Sequence, residues 1–197
     1  MAAIGGRVAM ASVCVFCGSQ VGSDPAFVTA AVEATGLLMD GDHTIVYGGG
    51  STGIMGVVAD EVLGRSGSII GVIPKALATV ELMHTDVDDM RVVADMHERK
   101  SLMHDLADAY LILPGGYGTL EELFEAVCWN QLGFHESPVA ILNTNGFYDG
   151  LVTLIDRMLS EGFVHAPHRQ LIRILEKPSE LPAFWEGLGT CDEPENA

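Results

Sequence analysis

Basic residues are scarce in this sequence: ten Lys plus Arg stand against 27 Asp plus Glu in 197 residues, a formal charge of −17. A field of that sign repels nucleic acid and anionic membranes, so no partner of either kind is expected and an anionic ligand has to be small and held locally. Cysteine is sparse too. Cys14, Cys17, Cys128 and Cys191 are too few and too dispersed for a disulfide framework. Cys14 and Cys17 spell C-x-x-C, but within an apolar run that reads as a strand, where positions i and i+3 face opposite sides. None of the seven histidines has a zinc-type spacing, so no metal is expected. No run approaches the ~20 apolar residues of a membrane span, and Met1 to Ser12 lacks the charged-then-apolar layout of a secretory signal. A cytoplasmic location is expected.

What remains is 48% hydrophobic, enough for one well-packed domain and short for two. Apolar, β-rich runs recur at Val13–Cys17, Thr44–Tyr47, Ile69–Ile73, Met90–Val93, Ala109–Leu113, Val139–Leu142 and Leu171–Leu175. Helix-like segments separate most of them, at Pro25–Met39, Ile54–Leu63, His97–Ala107, Thr119–Leu132 and Phe147–Ser160. Continuous apolar strands alternating with helices imply a Rossmann-like three-layer α/β fold with a mainly parallel central sheet. We expect one nucleotide-binding domain over residues 13–188, a flexible N-terminus over 1–12, and a disordered acidic tail over 189–197 that carries Asp192, Glu193 and Glu195.

Ligands bind such sheets at the carboxyl ends of the strands. Three strand-to-helix loops there are unusual. Gly18-Ser19-Gln20 follows the first strand, Gly48-Gly49-Gly50-Ser51-Thr52-Gly53 the second, and Pro114-Gly115-Gly116-Tyr117-Gly118-Thr119 the fifth. The second satisfies G-x-G-x-x-G, yet the acidic residue expected about 20 positions on is missing, which disfavours a dinucleotide. It also lacks the Lys of a P-loop. In the third, glycines permit unusual φ angles and close backbone approach, so that amides at a positive helix end can converge on a phosphate. Thr119-Leu120-Glu121-Glu122 fits a capping box, with Thr119 as N-cap and Glu122 answering from N3. A carboxylate so placed is expected to be ionised at neutral pH and to suit a base rather than a proton donor. Arg99-Lys100, the only adjacent basic pair, opens a helix at its positive end, where cations are unfavourable without an anion to meet. A phosphate or carboxylate ligand held by Arg99 is expected.

In this order these residues closely resemble the LOG family, the cytokinin riboside 5′-monophosphate phosphoribohydrolases often labelled lysine decarboxylases. The match spans about Val13 to Phe163 and includes Gly53-Ile54-Met55-Gly56, Met96-His97-Glu98-Arg99-Lys100 and Trp129-Asn130-Gln131-Leu132-Gly133. The resemblance implies hydrolysis of the N-glycosidic bond of an N6-modified adenosine monophosphate to free base and ribose 5-phosphate, with no cofactor and with a homodimer as the working form. It implies Arg99 and Glu122 as the catalytic pair. It further implies substrate contacts at Gly18, Ser19, Gly49, Gly50, Glu81, Met96, Lys100, Gly115, Gly116, Tyr117, Gly118, Thr119, Glu121 and Cys128. Three alternatives stay open at this stage: a broader nucleoside-monophosphate nucleosidase, a non-catalytic nucleotide-binding module, and the decarboxylase of the label. The last needs a pyridoxal-binding lysine, and Lys75, Lys100 and Lys177 have no recognisable cofactor context.

Overall fold

A computed structural model describes residues 11–79 and 82–186. The first half runs β1 (Ser12–Phe16), α1 (Pro25–Asp40), β2 (Thr44–Tyr47), α2 (Gly53–Gly64), β3 (Ile69–Pro74) and β4 (Asp89–Val93). Then follow α3 (Met96–Leu106), β5 (Ala109–Ile112), α4 (Tyr117–Gln131), β6 (Val139–Leu142), α5 (Asp149–Ser160), α6 (Ala166–Arg169), β7 (Ile172–Leu175) and α7 (Leu181–Glu186). The seven strands form one sheet in the order β4-β3-β2-β1-β5-β6-β7. Every pairing between them is parallel. The three-layer α/β architecture expected from the sequence is therefore the one found.

Side-chain alternation divides the core in two. Val13 and Val15 of β1 join α1, α2 and α7 on one face, through Ala34, Leu38, Val58 and Trp185. Cys14 and Phe16 point the other way and join Met103 of α3, Leu123 of α4 and Ile155 of α5. Cys14 and Cys17 thus lie in different clusters, as the period of a strand requires. Both are free thiols, and burial pushes each thiol pKa up, away from the reactive thiolate. Apart from Ala11 and Ser12, the segments expected to be a flexible N-terminus and an acidic tail lie outside the described residues.

Strand order reverses direction at β1. The connection from β1 leads outward to β2, and β5 lies on β1's other side, so the loops leaving β1 and β5 diverge and open a crevice between them. The backbone knits the two loops together at its base: Gly18 N–H donates to the Pro114 carbonyl at 3.1 Å. Ile54 N–H of α2 donates to the Gly18 carbonyl at 2.9 Å, tying in the loop after β2 as well. All three glycine-bearing loops meet at one edge of the sheet.

Candidate active site

A cleft of about 370 Å³ opens at that edge. Its walls are Cys17, Gly18 and Ser19 after β1, Gly48, Gly50 and Thr52 after β2, and Gly116, Tyr117, Gly118 and Thr119 at the start of α4. Met55, Ile73, Leu77 and Leu82 supply an apolar side. Arg99 and Glu122 also line it. A smaller hollow of about 210 Å³ lies across the Gly115-Gly116 loop and shares Gly18, Ser19 and Gly116 with the cleft. A larger cavity, about 690 Å³, sits elsewhere, between Pro138-Val139 and the Arg169–Ile174 stretch. It contains none of the residues expected to bind substrate.

Glu122 departs from its expected state. Helix α4 begins at Tyr117 with Gly116 as N-cap and no side-chain cap, so Thr119 stands at N3 and Glu122 most of a turn beyond it, at N6. The capping box expected from the sequence is not formed. Glu122 is instead buried, 8% exposed, and its pKa is raised from 4.5 to about 7, chiefly by desolvation, against the lowering effect of Arg99. This corrects the expectation of a carboxylate firmly ionised by a helix end. Burial dominates, because at N6 the side chain is beyond the first turn, where the dipole acts.

Arg99 Nη1 sits 3.1 Å from Glu122 Oε1, and Arg99 Nε donates to the Val72 carbonyl of β3 at 3.2 Å. The anions that Arg99 and Lys100 meet are thus protein carboxylates. Lys100 Nζ lies 2.5 Å from Glu121 Oε1 and 2.6 Å from Glu125 Oε2. The helix start itself is capped by Asp95, which accepts from His97 and Glu98 N–H. The mismatch of Arg99 and Lys100 with the dipole is therefore resolved within the fold by α4.

Of the residues implied to contact substrate, Gly18, Ser19, Gly50, Gly116, Tyr117, Gly118 and Thr119 line the cleft, and Gly115 lines the adjoining hollow. Gly49 is packed against Ile73 and Met90. Lys100 and Glu121 are paired to each other; Met96 and Cys128 are exposed and outside the cleft. Glu81 lies outside the described residues. None of Gly115, Gly116 and Gly118 has a positive φ, contrary to the expected unusual angles. Gly115 is required for close approach instead, since a Cβ there would collide with the Thr119 side chain.

Sequence reasoning missed Met55, Leu77 and Leu82. Met55 was legible as the third residue of α2, immediately past the G-x-G-x-x-G loop. Leu77 and Leu82 are carried on the connection between β3 and β4, where no periodic pattern exists to place them. That connection is bound to the glycine loop of β2: Ser51 N–H donates to the Leu82 carbonyl at 2.8 Å and His84 N–H to the Gly49 carbonyl at 3.0 Å.

A family profile described as possible lysine decarboxylase matches residues 55–184. A probable cytokinin riboside 5′-monophosphate phosphoribohydrolase of Oryza sativa subsp. japonica, LOGL1, is 47% identical over 160 residues, 81% of this chain and 72% of its own. The cytokinin riboside 5′-monophosphate phosphoribohydrolase LOG3 of Arabidopsis thaliana is 43% identical over 181 residues, covering 92% of this chain and 84% of its own. The chain belongs to the LOG family. Among solved structures, this LOG-family chain is similar to the molybdenum cofactor binding protein of Rippkaea orientalis, with a TM-score of 0.68 at 19% identity, over 92% of this chain and 98% of that one. The molybdenum cofactor carrier protein of Chlamydomonas reinhardtii gives a TM-score of 0.68 at 17% identity, over 91% and 98%. At those identities the likeness is one of fold, and it extends the LOG-type α/β architecture to proteins of other function.

Proposed function

We propose that this protein hydrolyses the N-glycosidic bond of N6-modified adenosine 5′-monophosphates, releasing the free base and ribose 5-phosphate, as the names of its relatives describe for theirs. One observation carries the reading beyond resemblance: a carboxyl group with a pKa near 7 and a paired guanidinium line the cleft beside an uncapped helix start. The α1 and α3 starts are capped by Asp24 and Asp95. The α4 start has no side-chain cap, so its first-turn amides remain for an anion such as a 5′-phosphate.

Cleavage of the C1′–N9 bond builds positive charge on the ribose, and ionised Glu122 opposes that charge at close range in a water-poor site. The same carboxylate takes a proton from water as the water oxygen bonds to C1′, and the departing base takes up a proton at nitrogen. Arg99 holds Glu122 in place and keeps a useful fraction ionised near neutrality. Binding the phosphate at α4 fixes the sugar relative to Glu122, so remote binding energy is used for orientation. Met55, Ile73, Leu77 and Leu82 support an apolar N6 substituent, since plain AMP would leave that wall wet.

The working form is a homodimer, supported by large apolar side chains left exposed on the single chain, Tyr117, Leu132, Phe134 and Phe163 among them. A cytoplasmic location fits the free thiols of Cys14, Cys17 and Cys128. The test is incubation with N6-isopentenyladenosine monophosphate, with AMP in parallel. Release of isopentenyladenine and ribose 5-phosphate is expected, at higher kcat/KM than for AMP. A folded protein that releases no base from either would overturn the assignment.

A further inference from the structure

Lys100 and His104 lie one turn apart on α3, and Glu121 and Glu125 lie one turn apart on α4, so two ridges face each other. Lys100 Nζ bridges the two carboxylates at 2.5 and 2.6 Å. His104 Nε2 reaches the other oxygen of Glu125 at 3.2 Å, and its Nδ1 lies 2.6 Å from the hydroxyl of Tyr110 on β5. The chemistry assigns every proton in this chain. A carboxylate only accepts, so Nε2 carries the imidazole hydrogen; Nδ1 then accepts, and Tyr110 O–H donates to it. The order is Tyr110 to His104 to Glu125, with Lys100 donating to Glu125 from the other side.

The inner part of the arrangement is buried, while Glu121 at its outer end is 54% exposed. His104 is 4% exposed at its side chain and Lys100 16%, and Tyr110 is fully buried in the centre of the sheet. The imidazole lies against Trp129 of α4, tilted 32° to it with ring centroids 4.4 Å apart, and Phe16 of β1 is edge-on at 6.4 Å. The titratable groups around it are Tyr110 of β5, Glu125 of α4, His135 beyond α4, and Lys100 and Asp105 of its own helix. Burial lowers the His104 pKa against the raising effect of Glu125, so the neutral tautomer assigned above is the one held at neutral pH. Such a network is costly when half made and rigid when complete.

Position gives it a consequence. Arg99 precedes Lys100 and Glu122 follows Glu121, so the Arg99–Glu122 pair is the next rung of the same ladder between α3 and α4. We propose that His104 is a positioning residue: by holding Glu125, and through it Lys100, it fixes the α3 face that carries Arg99 against the α4 face that carries Glu122. Neither His104, Glu125 nor Tyr110 lines the cleft, so the effect reaches the reaction only through the pair. The kinetic part of this inference rests on the hydrolase reading above; the geometric part does not. Lys100 also contributes to keeping Glu122 ionised, so its displacement has a signature that ordinary loss of stability lacks.

His104→Phe keeps a ring against Trp129 and removes both hydrogen bonds. We expect kcat on the isopentenyl nucleotide to fall about tenfold, as for a small displacement of a reacting pair, with KM changed less than about twofold. The acidic limb of the rate profile and the 13C-carboxyl titration of Glu122, assigned with Glu122→Gln, should both move up by about half a pH unit. His104→Gln, whose amide N–H reaches toward Glu125, should recover part of both effects. An unchanged Glu122 titration in His104→Phe overturns the proposal, whether or not kcat falls, because a lower rate or melting temperature alone is a structural effect. If the wild type cleaves no nucleotide, the hydrolase reading fails and the Glu122 titration still decides the positioning role. If His104→Phe does not fold, His104→Leu also removes the contact with Glu125: the same upward shift then supports the positioning role, and its absence overturns it.

Discussion

Arg99 and Glu122 form an ion pair 3.1 Å long whose side chains are 11% and 10% exposed, yet the carboxyl titrates near 7 rather than below 4. Removing the carboxylate from water costs more than one guanidinium returns. The pair therefore stores a proton-sensitive group where the chain needs a base, and it joins α3 to α4 beside the Lys100–Glu121, Lys100–Glu125 and His104–Glu125 contacts.

The raised pKa fixes the sign of one stability effect. Between 4.5 and about 7 the folded Glu122 carboxyl holds its proton while the unfolded one releases it. The unfolded state thus binds fewer protons there, and stability falls as pH rises through that window. At about 1.4 kcal/mol per pH unit, the contribution lost by pH 8 is roughly 3 kcal/mol. Denaturant titrations of wild type and Glu122→Gln at pH 5 and pH 8 check this. The wild type should lose more stability between the two pH values than the variant does; equal losses would mean that Glu122 titrates normally.

Activity should run opposite to stability. Because the ionised carboxylate is the form that opposes ribose charge and accepts water's proton, kcat/KM should rise with pH to a plateau, with a midpoint near 7. Glu122→Gln is isosteric, still accepts a hydrogen bond from Arg99 and carries no basic oxygen. Its kcat should fall about 10³-fold or more, while AMP affinity by calorimetry stays within about threefold of wild type. A variant turning over at the wild-type rate would remove Glu122 from the chemistry.

Much of this was legible in the sequence, for definite reasons. Strands such as Ala109–Ile112 and Val139–Leu142 are buried on both faces and read as unbroken apolar runs, which only a covered parallel sheet explains. The glycine loops were legible because tight strand-to-helix turns leave a compositional trace. The short α6 left none, being four residues long. The state of Glu122 is hidden from a sequence reading because Thr119 and Glu122 have capping-box spacing, while the glycines before them let the helix begin three residues earlier. A local pattern cannot report burial set by residues 23 positions away, and Arg99 is that far from Glu122. Lys100 is hidden for the same reason: its neutralising partners are on another helix.

Arg99→Lys should be far from conservative. The guanidinium uses Nη1 for Glu122 and Nε for the Val72 carbonyl, a geometry a single ammonium on a flexible stem does not reproduce. Losing the Val72 contact leaves a buried carbonyl short of a partner and frees the cation to move. We expect kcat/KM to drop about 10²-fold with stability lower by about 1–2 kcal/mol. Activity within a few-fold of wild type would show that charge alone suffices.

Gly48 tests whether the pair's position, rather than its chemistry, limits the rate. It stands just past the end of β2, and a Cβ there would collide with the Arg99 guanidinium and come 3.2 Å from the Met55 sulfur. Its φ is not in the left-handed region, so Gly48→Ala meets no backbone penalty and acts through that contact. The arginine must yield, because Met55 is confined in the cleft wall while the guanidinium ends a long side chain. Moving it pulls its charge from Glu122, whose pKa should then rise further, carrying the midpoint of the rate profile above 7. We expect kcat/KM at pH 7 to fall more than about tenfold with a stability loss of about 1–3 kcal/mol, typical of mild overpacking. Measuring the profile to pH 9 separates the two parts of the effect. Partial recovery at high pH would show Glu122 still in place but protonated, and an undiminished deficit would show the pair displaced from the ribose.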